Sequence, residues 1–591
     1  MFFSNHKWNS IVFLAVSLLY TVVFFTLPKS VFWSPDEGAK FIQFHVSCGA
    51  ENRLQPTPYQ GRYLDPTYRF FPKAPYAFFY PQPLANGQIA CHWPIWFPLI
   101  STLPFKLLGI SGLYLIPLVS GLLSIFLAGI LTHQLMPGTG KLAILVVGLA
   151  TPVFFYSLLF WEYTWVVSLG LVALWQATKL NQTEHRWRRL LLISLMLVAA
   201  AAIRAEMIVY ALVLFLAAGY LLTIQTRQHV WRNLVVMITI LVSAIAIILF
   251  LYFSKLSVLS ETVWFIPARY WQMIGDVWAS MADYQFWLDS PVQLQALWVN
   301  SADEWGPIIP EALTRIGLLV LLSGSIFVFF SHKIVNGLVI GAAMIVGGIS
   351  LYALVFAPAF RFVHSIFLPA PFLFLLFLAI PYARSSHRFD ITLVVSTTVL
   401  YLVAGSIAAV MRAGAGSTIG GAEWGARYTL IIYPLGSICA IIGLYNLYQN
   451  VGSRRQKRFL VGITTILIFI GVIYQVRGIK ELQNSKQTLS AYAHAIEEID
   501  APVVTDIWWL SASLATHFLD QEMYALSDRK ALYPWLDLAA TQIDTFVLVT
   551  FDPPGKAFVR KAPHQLELKG TESVQGLFLV TFKIVDAKSL E

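Results

Sequence analysis

Two adjacent carboxylates, Asp36 and Glu37, follow the first apolar segment of this 591-residue chain. Ionised side chains at the edge of a bilayer are costly, so such a pair is expected where it has a use. A carboxylate there can take the proton from an acceptor hydroxyl or amine during group transfer. The pair can equally cap a helix that begins near Gly38, where negative charge is favourable. Both roles are compatible, and the sequence predicts a catalytic role for Asp36 and Glu37 on the outer surface.

Four arginines occupy span ends or short outer connections: Arg204, Arg361, Arg412 and Arg427. Basic side chains are depleted on the outer side of a membrane, so each of these needs a reason. A guanidinium binds phosphate through two hydrogen bonds and stabilises the charge that develops on a leaving phosphate. The alternative is a salt bridge, from Arg427 to Glu423 or from Arg204 to Glu206. We predict Arg204, Arg361 and Arg427 as phosphate ligands.

Other polar and aromatic side chains extend this candidate site. His92 can contact phosphate, although a lone interfacial histidine is more often solvated. Glu162 stands at an outer helix end, where a carboxylate is costly and can face substrate. Trp424 and Tyr428 flank Arg427 in a glycine-containing segment, where the backbone can approach a ligand closely. We predict that Glu162, Trp424 and Tyr428 contact the substrate.

Composition places these residues in a membrane protein. Hydrophobic residues make up 57% of the chain and charged residues 12%, against about 25% charged in soluble domains. The formal net charge of +9 does not indicate nucleic-acid binding, because Lys and Arg fall in short clusters between apolar spans. The fold class predicted is a polytopic α-helical membrane protein with a C-terminal extracytoplasmic α/β domain.

Hydropathy predicts about thirteen membrane spans. They lie near residues 9–27, 112–135, 140–158, 160–178, 190–206, 207–225, 233–253, 313–331, 334–356, 362–382, 389–411, 428–449 and 459–476. With an uncleaved first helix and a cytoplasmic N-terminus, alternation puts every basic cluster in the cytoplasm. The same alternation places segments 28–111, 254–312, 412–427 and 477–591 outside. We therefore predict a transmembrane domain over 1–476 and a soluble extracytoplasmic domain over 477–591.

The outer segments have distinct patterns. The short, proline-marked stretch 93–108 is predicted as a helix in the membrane interface, because counting it as a span would invert the later basic clusters. Loop 254–312 is rich in Trp, which indicates an interfacial belt or, alternatively, stacking against sugar rings. In 477–591 an amphipathic stretch covers 480–499, a helical pattern 507–518, and short strands 545–550 and 576–585.

Cysteine usage and missing motifs limit the remaining functions. Cys439 lies in an apolar span and is predicted as inert packing, whereas Cys48 and Cys91 share an outer loop and either pair or remain separate thiols. There is no P-loop, no G-x-G-x-x-G after a strand, and no Cys/His metal spacing. Without a nucleotide site, an outer transferase would draw its activated group from a lipid. The sequence leaves a divalent metal open as a cofactor.

In its motifs and their order, the chain resembles the GT-C glycosyltransferases, and most of all the group of protein O-mannosyltransferases and lipid A aminoarabinose transferases. The resemblance rests on Ser34-Pro35-Asp36-Glu37-Gly38, the interfacial stretch 93–108, Pro152-Val153-Phe154-Phe155-Tyr156 with Phe160-Trp161-Glu162, Ala202-Ile203-Arg204-Ala205-Glu206, and Trp424-Gly425-Ala426-Arg427-Tyr428. The layout of thirteen spans and an outer C-terminal domain is similar as well. The likeness is clear over 9–230, patchy to 430 and weak in 477–591.

The resemblance implies an inverting transfer of a sugar from a polyprenyl phosphate to a lipid, glycan or protein acceptor outside a bacterial inner membrane. Asp36 would be the base and Glu37 its support, with Arg204 and Arg427 on the donor phosphate. His92 stands where the aminoarabinose enzymes carry a Lys-Pro that contacts phosphate. The mannosyltransferases' large loop domain is absent, which argues against a protein acceptor. The alternative is a lipid-linked sugar flippase, for which charges near mid-membrane and repeated halves are expected.

Overall fold

The computed structural model describes part of the chain: residues 6–48, 59–71, 96–182, 185–204, 206–226, 332–356, 363, 365–413, 424–554 and 564–585, with short pieces at 82–83, 89–90, 302–303 and 306–307. Two compact units emerge. The first contains Met1–Phe24, Ile116–Ser254 and Tyr270–Lys480, and the second contains Phe25–Leu115, Lys255–Arg269 and Glu481–Glu591. The division at residue 476, drawn from composition, remains a prediction.

Helices dominate the described residues. In chain order they are α1 (His6–Thr26), α2 (Pro35–Cys48), α3 (Trp96–Leu108), α4 (Ile110–Leu113), α5 (Leu115–Leu135), α6 (Gly140–Leu149), α7 (Val153–Tyr156), α8 (Tyr163–Ala177), α9 (Arg186–Ile203), α10 (Glu206–Thr226), α11 (His332–Phe356), α12 (Ala379–Ser386), α13 (Phe389–Ala413), α14 (Ile432–Asn450), α15 (Arg454–Glu497), α16 (Leu510–Ser513), α17 (Ala515–Asp520) and α18 (Leu532–Ala539). Short 3₁₀ helices cover Gln60–Tyr63, Pro371–Leu378, Arg427–Thr429 and Arg529–Ala531.

Five of the described helices are long and apolar enough to cross a membrane: Ile110–Leu135, Glu206–Ile224, Asn336–Leu354, Phe389–Ala409 and Arg454–Glu497. The predicted helical membrane class agrees with this, but the count of about thirteen spans is not confirmed. The predicted spans 233–253 and 313–331 lie outside the described residues, as does most of the Trp-rich loop 254–312.

Prolines interrupt two of the predicted spans. The span 140–158 is divided into α6 and α7 at Thr151-Pro152, because proline lacks the N–H that a continuous helix requires. The span 362–382 is a 3₁₀ helix over Pro371–Leu378 followed by α12. The span 459–476 and the amphipathic stretch 480–499 instead form one helix, α15, of 44 residues.

The second unit contains a five-stranded sheet of β5 (Val503–Thr505), β6 (Met523–Ala525), β7 (Thr545–Thr550), β8 (Gln565–Val574) and β9 (Leu577–Val585). Two-residue pairs β1 (Gln82–Pro83) with β2 (Ile89–Ala90), and β3 (Ala302–Asp303) with β4 (Gly306–Pro307), precede it in the chain. The sheet order is β6-β5-β7-β9-β8, in which β5 is parallel to both of its neighbours. The C-terminal α/β prediction is confirmed in its sheet, with β7 and β9 where the sequence placed strands.

Helix α2 packs directly on the helices that follow β5. The backbone N–H of Phe32 donates to the Ser513 carbonyl at 2.9 Å, and a Cβ at Gly38 would overlap the Ala512 carbonyl oxygen. Glycine is therefore required at position 38 by close approach rather than by an unusual dihedral angle. This contact joins the segment after α1 to the C-terminal sheet within one unit.

Helix α3 forms within the stretch predicted to lie in the interface. It contains Pro104 and exposes Leu103 and Leu107, so one of its surfaces is apolar. The position of this surface relative to a bilayer remains a prediction. Cys439 is fully buried, with its Sγ 3.3 Å from Thr398 Oγ1, as expected for inert packing.

Candidate functional site

The start of α2 separates the roles of the two adjacent carboxylates. Glu37 is fully buried, and its Oε2 accepts a hydrogen bond of 2.9 Å from the backbone N–H of Trp33. In return, the Glu37 N–H donates to Ser34 Oγ at 3.3 Å. Ser34 thus caps the helix in a Ser-x-x-Glu arrangement with proline at the first helical position, while the Glu37 carboxylate binds the N–H of the residue before the cap. The helix begins at Pro35 rather than near Gly38.

Asp36 lies in the same first turn but has a different environment. Its side chain is half-buried, whereas that of Glu37 is inaccessible. A half-buried carboxylate can still meet a substrate and exchange a proton with it. Of the pair, Asp36 is the residue suited to the chemistry that the sequence predicts, and its catalytic role remains a prediction.

Two lysines that the sequence analysis did not select lie near Glu37. The Lys486 ammonium is buried and donates to Tyr114 Oη at 3.1 Å and to the Pro28 carbonyl at 3.3 Å. The Lys29 ammonium lies 5.3 Å from the centroid of the Tyr114 ring. Burial, together with repulsion from Lys486, lowers the pKa of Lys29 to about 7, and the carboxylate of Glu37 opposes this shift.

A second charged cluster lies in the first unit, around Arg204. This guanidinium is buried between two carboxylates, with Nη1 2.9 Å from Glu162 Oε1 and Nη2 2.5 Å from Glu206 Oε1. Its Nε also donates to Glu206 Oε2 at 3.1 Å, so the contact with Glu206 is bidentate. The three side chains come from the end of α9, the residue before α8 and the start of α10. The salt-bridge alternative for Arg204 is therefore present.

Arg427 lies against aromatic rings beside this cluster. Its guanidinium carbon is 5.1 Å from the Trp161 ring centroid and 5.0 Å from that of Tyr428, and Nη2 donates to Tyr428 Oη at 3.1 Å. Arg204 reaches the same Tyr428 ring at 5.6 Å and the Tyr163 ring at 4.5 Å. The π-electrons of the aromatic rings attract both guanidinium cations, and stacking on the ring faces fixes the planes of the guanidinium groups.

The turn before Arg427 is held by two backbone N–H groups, which donate to the Val363 carbonyl and to the Tyr433 hydroxyl. Gly425 has a φ of +76°, which side-chain-bearing residues rarely adopt, and its N–H donates to the Val363 carbonyl at 2.6 Å. The N–H of Ala426 donates to Tyr433 Oη at 3.1 Å. These contacts direct the chain so that Arg427 enters the aromatic cluster.

Arg204 and Arg427 line the same small pocket in the first unit. Its other polar and aromatic lining comes from Tyr163, Glu206, Tyr401 and Tyr428. The two cations and the hydroxyl-bearing rings in this lining are groups that bind phosphate. The structure thus brings together four of the predicted residues. Arg204, Arg427 and Tyr428 line the pocket, and Glu162 is hydrogen-bonded to Arg204.

Trp424, predicted to contact the substrate, is packed among other aromatic side chains. It is fully buried, with its ring centroid 5.9 Å from that of Phe155 and 6.5 Å from that of Tyr474, and it does not line the pocket. His92 and Arg361 lie outside the described residues, as do Glu423 and Cys91. The predictions that concern them, including the Cys48–Cys91 alternative, remain untested.

Metal binding was left open by the sequence. Across the parts of the chain that the structure describes, no three His, Cys, Asp or Glu side chains are grouped so as to hold a metal ion. The carboxylates Glu162 and Glu206 are engaged with Arg204. A divalent metal remains open as a cofactor.

Comparison with known proteins gives only structural matches. No protein-family model and no curated protein sequence matches the chain. It is similar to the oligosaccharyltransferase AglB of Archaeoglobus fulgidus in complex with an inhibitory peptide and a dolichol-phosphate, at 12% identity and a TM-score of 0.47, over 92% of this chain and 70% of that one. A complex of the same organism's oligosaccharyltransferase with Zn and sulfate matches at 12% identity and a TM-score of 0.47, over 91% and 67%.

A third similar structure is ArnT from Cupriavidus metallidurans bound to undecaprenyl phosphate. It matches at 11% identity and a TM-score of 0.47, and the match covers 97% of both chains. AglB and ArnT are glycosyltransferases of the GT-C fold, the group that the sequence resembles. With TM-scores below 0.5, these matches assign no role to any residue described above.

Proposed function

We propose that this protein is an inverting membrane glycosyltransferase. It moves a sugar from a polyprenyl phosphate to an acceptor on the extracytoplasmic side of a bacterial inner membrane. The donor class is the one that the sequence resemblance implies. The observation that carries the proposal is the convergence of two buried guanidiniums, Arg204 and Arg427, on the ring of Tyr428 at a single pocket.

Arg427 binds the donor phosphate in this proposal. A guanidinium whose plane is fixed by ring stacking offers two parallel N–H donors to phosphate oxygens, and it stabilises the negative charge that grows on the leaving phosphate. Arg204 has a different task, because two carboxylates already bind it at 2.5 and 2.9 Å. It positions Glu162 and Glu206 and supports the Tyr163 and Tyr428 rings.

Asp36 is the base. Its carboxylate takes the proton of the acceptor hydroxyl or amine as the acceptor oxygen or nitrogen forms a bond to the anomeric carbon of the sugar. The bond from that carbon to the phosphate oxygen breaks, and its electron pair leaves with the polyprenyl phosphate. Because the leaving group departs already charged, no general acid is needed, and a single displacement inverts the anomeric centre.

Glu37 positions Asp36 by holding the first turn of α2 in place. Its hydrogen bonds to Trp33 and Ser34 fix the backbone on both sides of Asp36. In this proposal Glu37, which the sequence predicted as part of a catalytic pair, has a structural role and does not contact the reacting atoms. This role also accounts for the presence of two carboxylates where the chemistry needs only one.

The test uses the full-length protein in proteoliposomes supplied with a radiolabelled lipid-phosphate sugar. The donor is chosen beforehand as the phospho-sugar lipid that accumulates in cells lacking the protein. We expect wild-type protein to transfer label to an acceptor, and Arg427→Ala to weaken binding of undecaprenyl phosphate, with partial recovery in Arg427→Lys. The matched control is Arg384→Ala, also in the first unit but in α12. Wild-type proteoliposomes that translocate the lipid without transferring its sugar would overturn the proposal and favour the flippase.

A further inference from the structure

The carboxyl edge of the C-terminal sheet is a second place where a ligand can bind. Strand β5 has β6 on one side and β7 on the other, all three parallel. The chain leaves β5 toward β6 and returns to β7 on the opposite side, so a crevice opens between the carboxyl ends of β5 and β7. In open α/β sheets this reversal of strand order is the usual ligand position.

A polar network lies at the carboxyl ends of β5 and β7. Arg529, from the turn after β6, donates through Nε to Asp506 Oδ2 at 2.8 Å and through Nη2 to Thr550 Oγ1 at 2.7 Å. Its Nη1 lies 3.3 Å from Asp552 Oδ2, and Thr550 Oγ1 donates to Asp506 at 3.1 Å. The Asp552 side chain is 86% exposed, so this network presents a carboxylate to solvent in a fixed frame.

Aromatic side chains border the same crevice. Phe551, between Thr550 and Asp552, is 45% exposed, which is unusual for a phenyl ring directly after a buried strand. Its ring centroid lies 6.1 Å from that of Trp509 and 6.4 Å from that of Tyr492. Ring faces pack against the C–H faces of pyranose rings, while carboxylate and guanidinium groups bind vicinal hydroxyls.

The chemistry of the crevice disfavours a phosphate ligand. The loop after β5 reads Asp506-Ile507-Trp508-Trp509 and contains no glycine to cradle a phosphate. Helix α16 has only four residues, and the acidic groups Asp506 and Asp552 would repel an anion. A neutral, hydroxyl-rich ligand fits this mixture of acids, arginine and aromatic rings.

The loop after β5 contacts the helix that carries Asp36. Trp508, in the loop after β5, packs against Ala39 of α2 and Ala512 of α16. Ala39 follows Asp36 by one helical turn, and Phe32 is hydrogen-bonded to Ser513. The loop after β5 and the helix that carries the predicted base therefore pack together within the same unit.

We propose that this crevice binds the acceptor, and that the acceptor is a saccharide. Phe551 and Trp509 stack on the sugar, and Asp552 and Arg529 bind its hydroxyls. Saccharide binding stands on the geometry of the crevice alone, whereas the acceptor role rests on the proposed function.

The binding test uses the full-length, detergent-solubilised protein on an array of defined hexose, deoxyhexose, N-acetylhexosamine and uronic acid disaccharides. Dissociation constants are then measured for a soluble disaccharide that binds. Phe551→Ala and Asp552→Asn change exposed side chains, so the fold is retained, and each is expected to weaken binding about tenfold. The matched controls, Leu568→Ala and Glu567→Gln on the edge strand β8, are expected to stay within about twofold of wild type. Absence of binding to every disaccharide, or equal loss in the controls, would overturn the proposal.

A transfer assay separates this proposal from the proposed function. If the crevice holds the acceptor, Phe551→Ala raises the KM for the acceptor disaccharide and leaves kcat and the KM for the donor unchanged. Transfer by wild-type protein with unaltered acceptor KM in both variants would remove the acceptor role and leave the glycosyltransferase intact. Saccharide binding without any transfer by wild-type protein would instead remove the glycosyltransferase and its acceptor site and leave the crevice as a saccharide-binding site.

Discussion

The charged clusters of the two units are built in different ways. In the first unit, Arg204 is neutralised by Glu162 and Glu206, which arrive from two other helices. In the second unit, the Glu37 carboxylate accepts a hydrogen bond from the backbone just before its own helix, and two lysines lie near it. The first cluster depends on tertiary packing and the second on a local capping motif. A carboxylate can therefore be buried for a structural reason one residue away from a carboxylate that is only half-buried.

The largest effect is expected where tertiary packing neutralises a buried charge. Arg204→Ala leaves two carboxylates without their cation, and removal of one partner of a buried pair costs about 3–5 kcal/mol of unfolding free energy. Unfolding in mixed micelles measures this loss. The matched control, Arg388→Ala, removes a pair with Asp390 in which the arginine side chain is 42% exposed, and it is expected to cost about 1 kcal/mol or less. Equal losses of unfolding free energy in the two variants would show that Arg204 does not stabilise the fold by neutralising buried carboxylates.

A smaller effect is expected at the helix start. Glu37→Ala removes the carboxylate that accepts from the Trp33 N–H, and loss of a helix cap costs about 0.5–2 kcal/mol. Asp36→Ala, in the same turn but half exposed, is expected to lower the thermal midpoint by less. If Asp36→Ala were the more destabilising substitution, the separation of structural and chemical roles within the pair would be wrong.

A third effect concerns the pH dependence of stability. The pKa of Lys29 is about 7 in the folded protein, below the value of about 10.4 for an unfolded lysine. Between these pH values the unfolded chain binds more protons, so the free energy of unfolding rises with pH, whereas below about 7 both states are protonated. Lys29→Met is expected to reduce the rise of the thermal midpoint from pH 7 to about 10, and the buried ammonium of Lys486 beside it contributes the remainder.

Two variants check the assignment to Lys29. The groups that act on it are Lys486 and Glu37, with the Tyr114 ring beside both lysines. Because Glu37 raises the pKa of Lys29, Glu37→Gln should move the onset of the rise to lower pH. Lys569→Met, on the exposed strand β8, should leave the profile unchanged. A wild-type profile retained in Lys29→Met would assign the rise to another group.

Local motifs were the part of this molecule that the sequence could predict. The carboxylate pair predicted a helix beginning near Gly38, and the helix begins within one turn of that position, at Pro35. Strands β7 and β9 follow from short runs of apolar and β-branched residues. The strands β5 and β6 have three residues each, too few for a period to be seen. Strand β8 was missed because it is an exposed, charged edge strand that lacks an apolar run.

Contacts between distant segments account for what the sequence could not predict. Lys29 and Lys486 meet at Tyr114 only after folding, and neither belongs to a motif. Lys29 did carry a signal, since it is a basic residue in a segment assigned to the outer side. The pairing of Arg204 with Glu206 was foreseen as an alternative because the two are close in sequence, whereas Glu162 approaches from another helix.

The most direct test of the account is the rate of sugar transfer by Asp36→Asn in proteoliposomes, measured beside the thermal midpoint of the same preparation. Loss of a general base typically lowers the rate by about 10²–10⁴-fold, and we expect a loss of that size with an unchanged midpoint. Full transfer activity in Asp36→Asn would contradict the account.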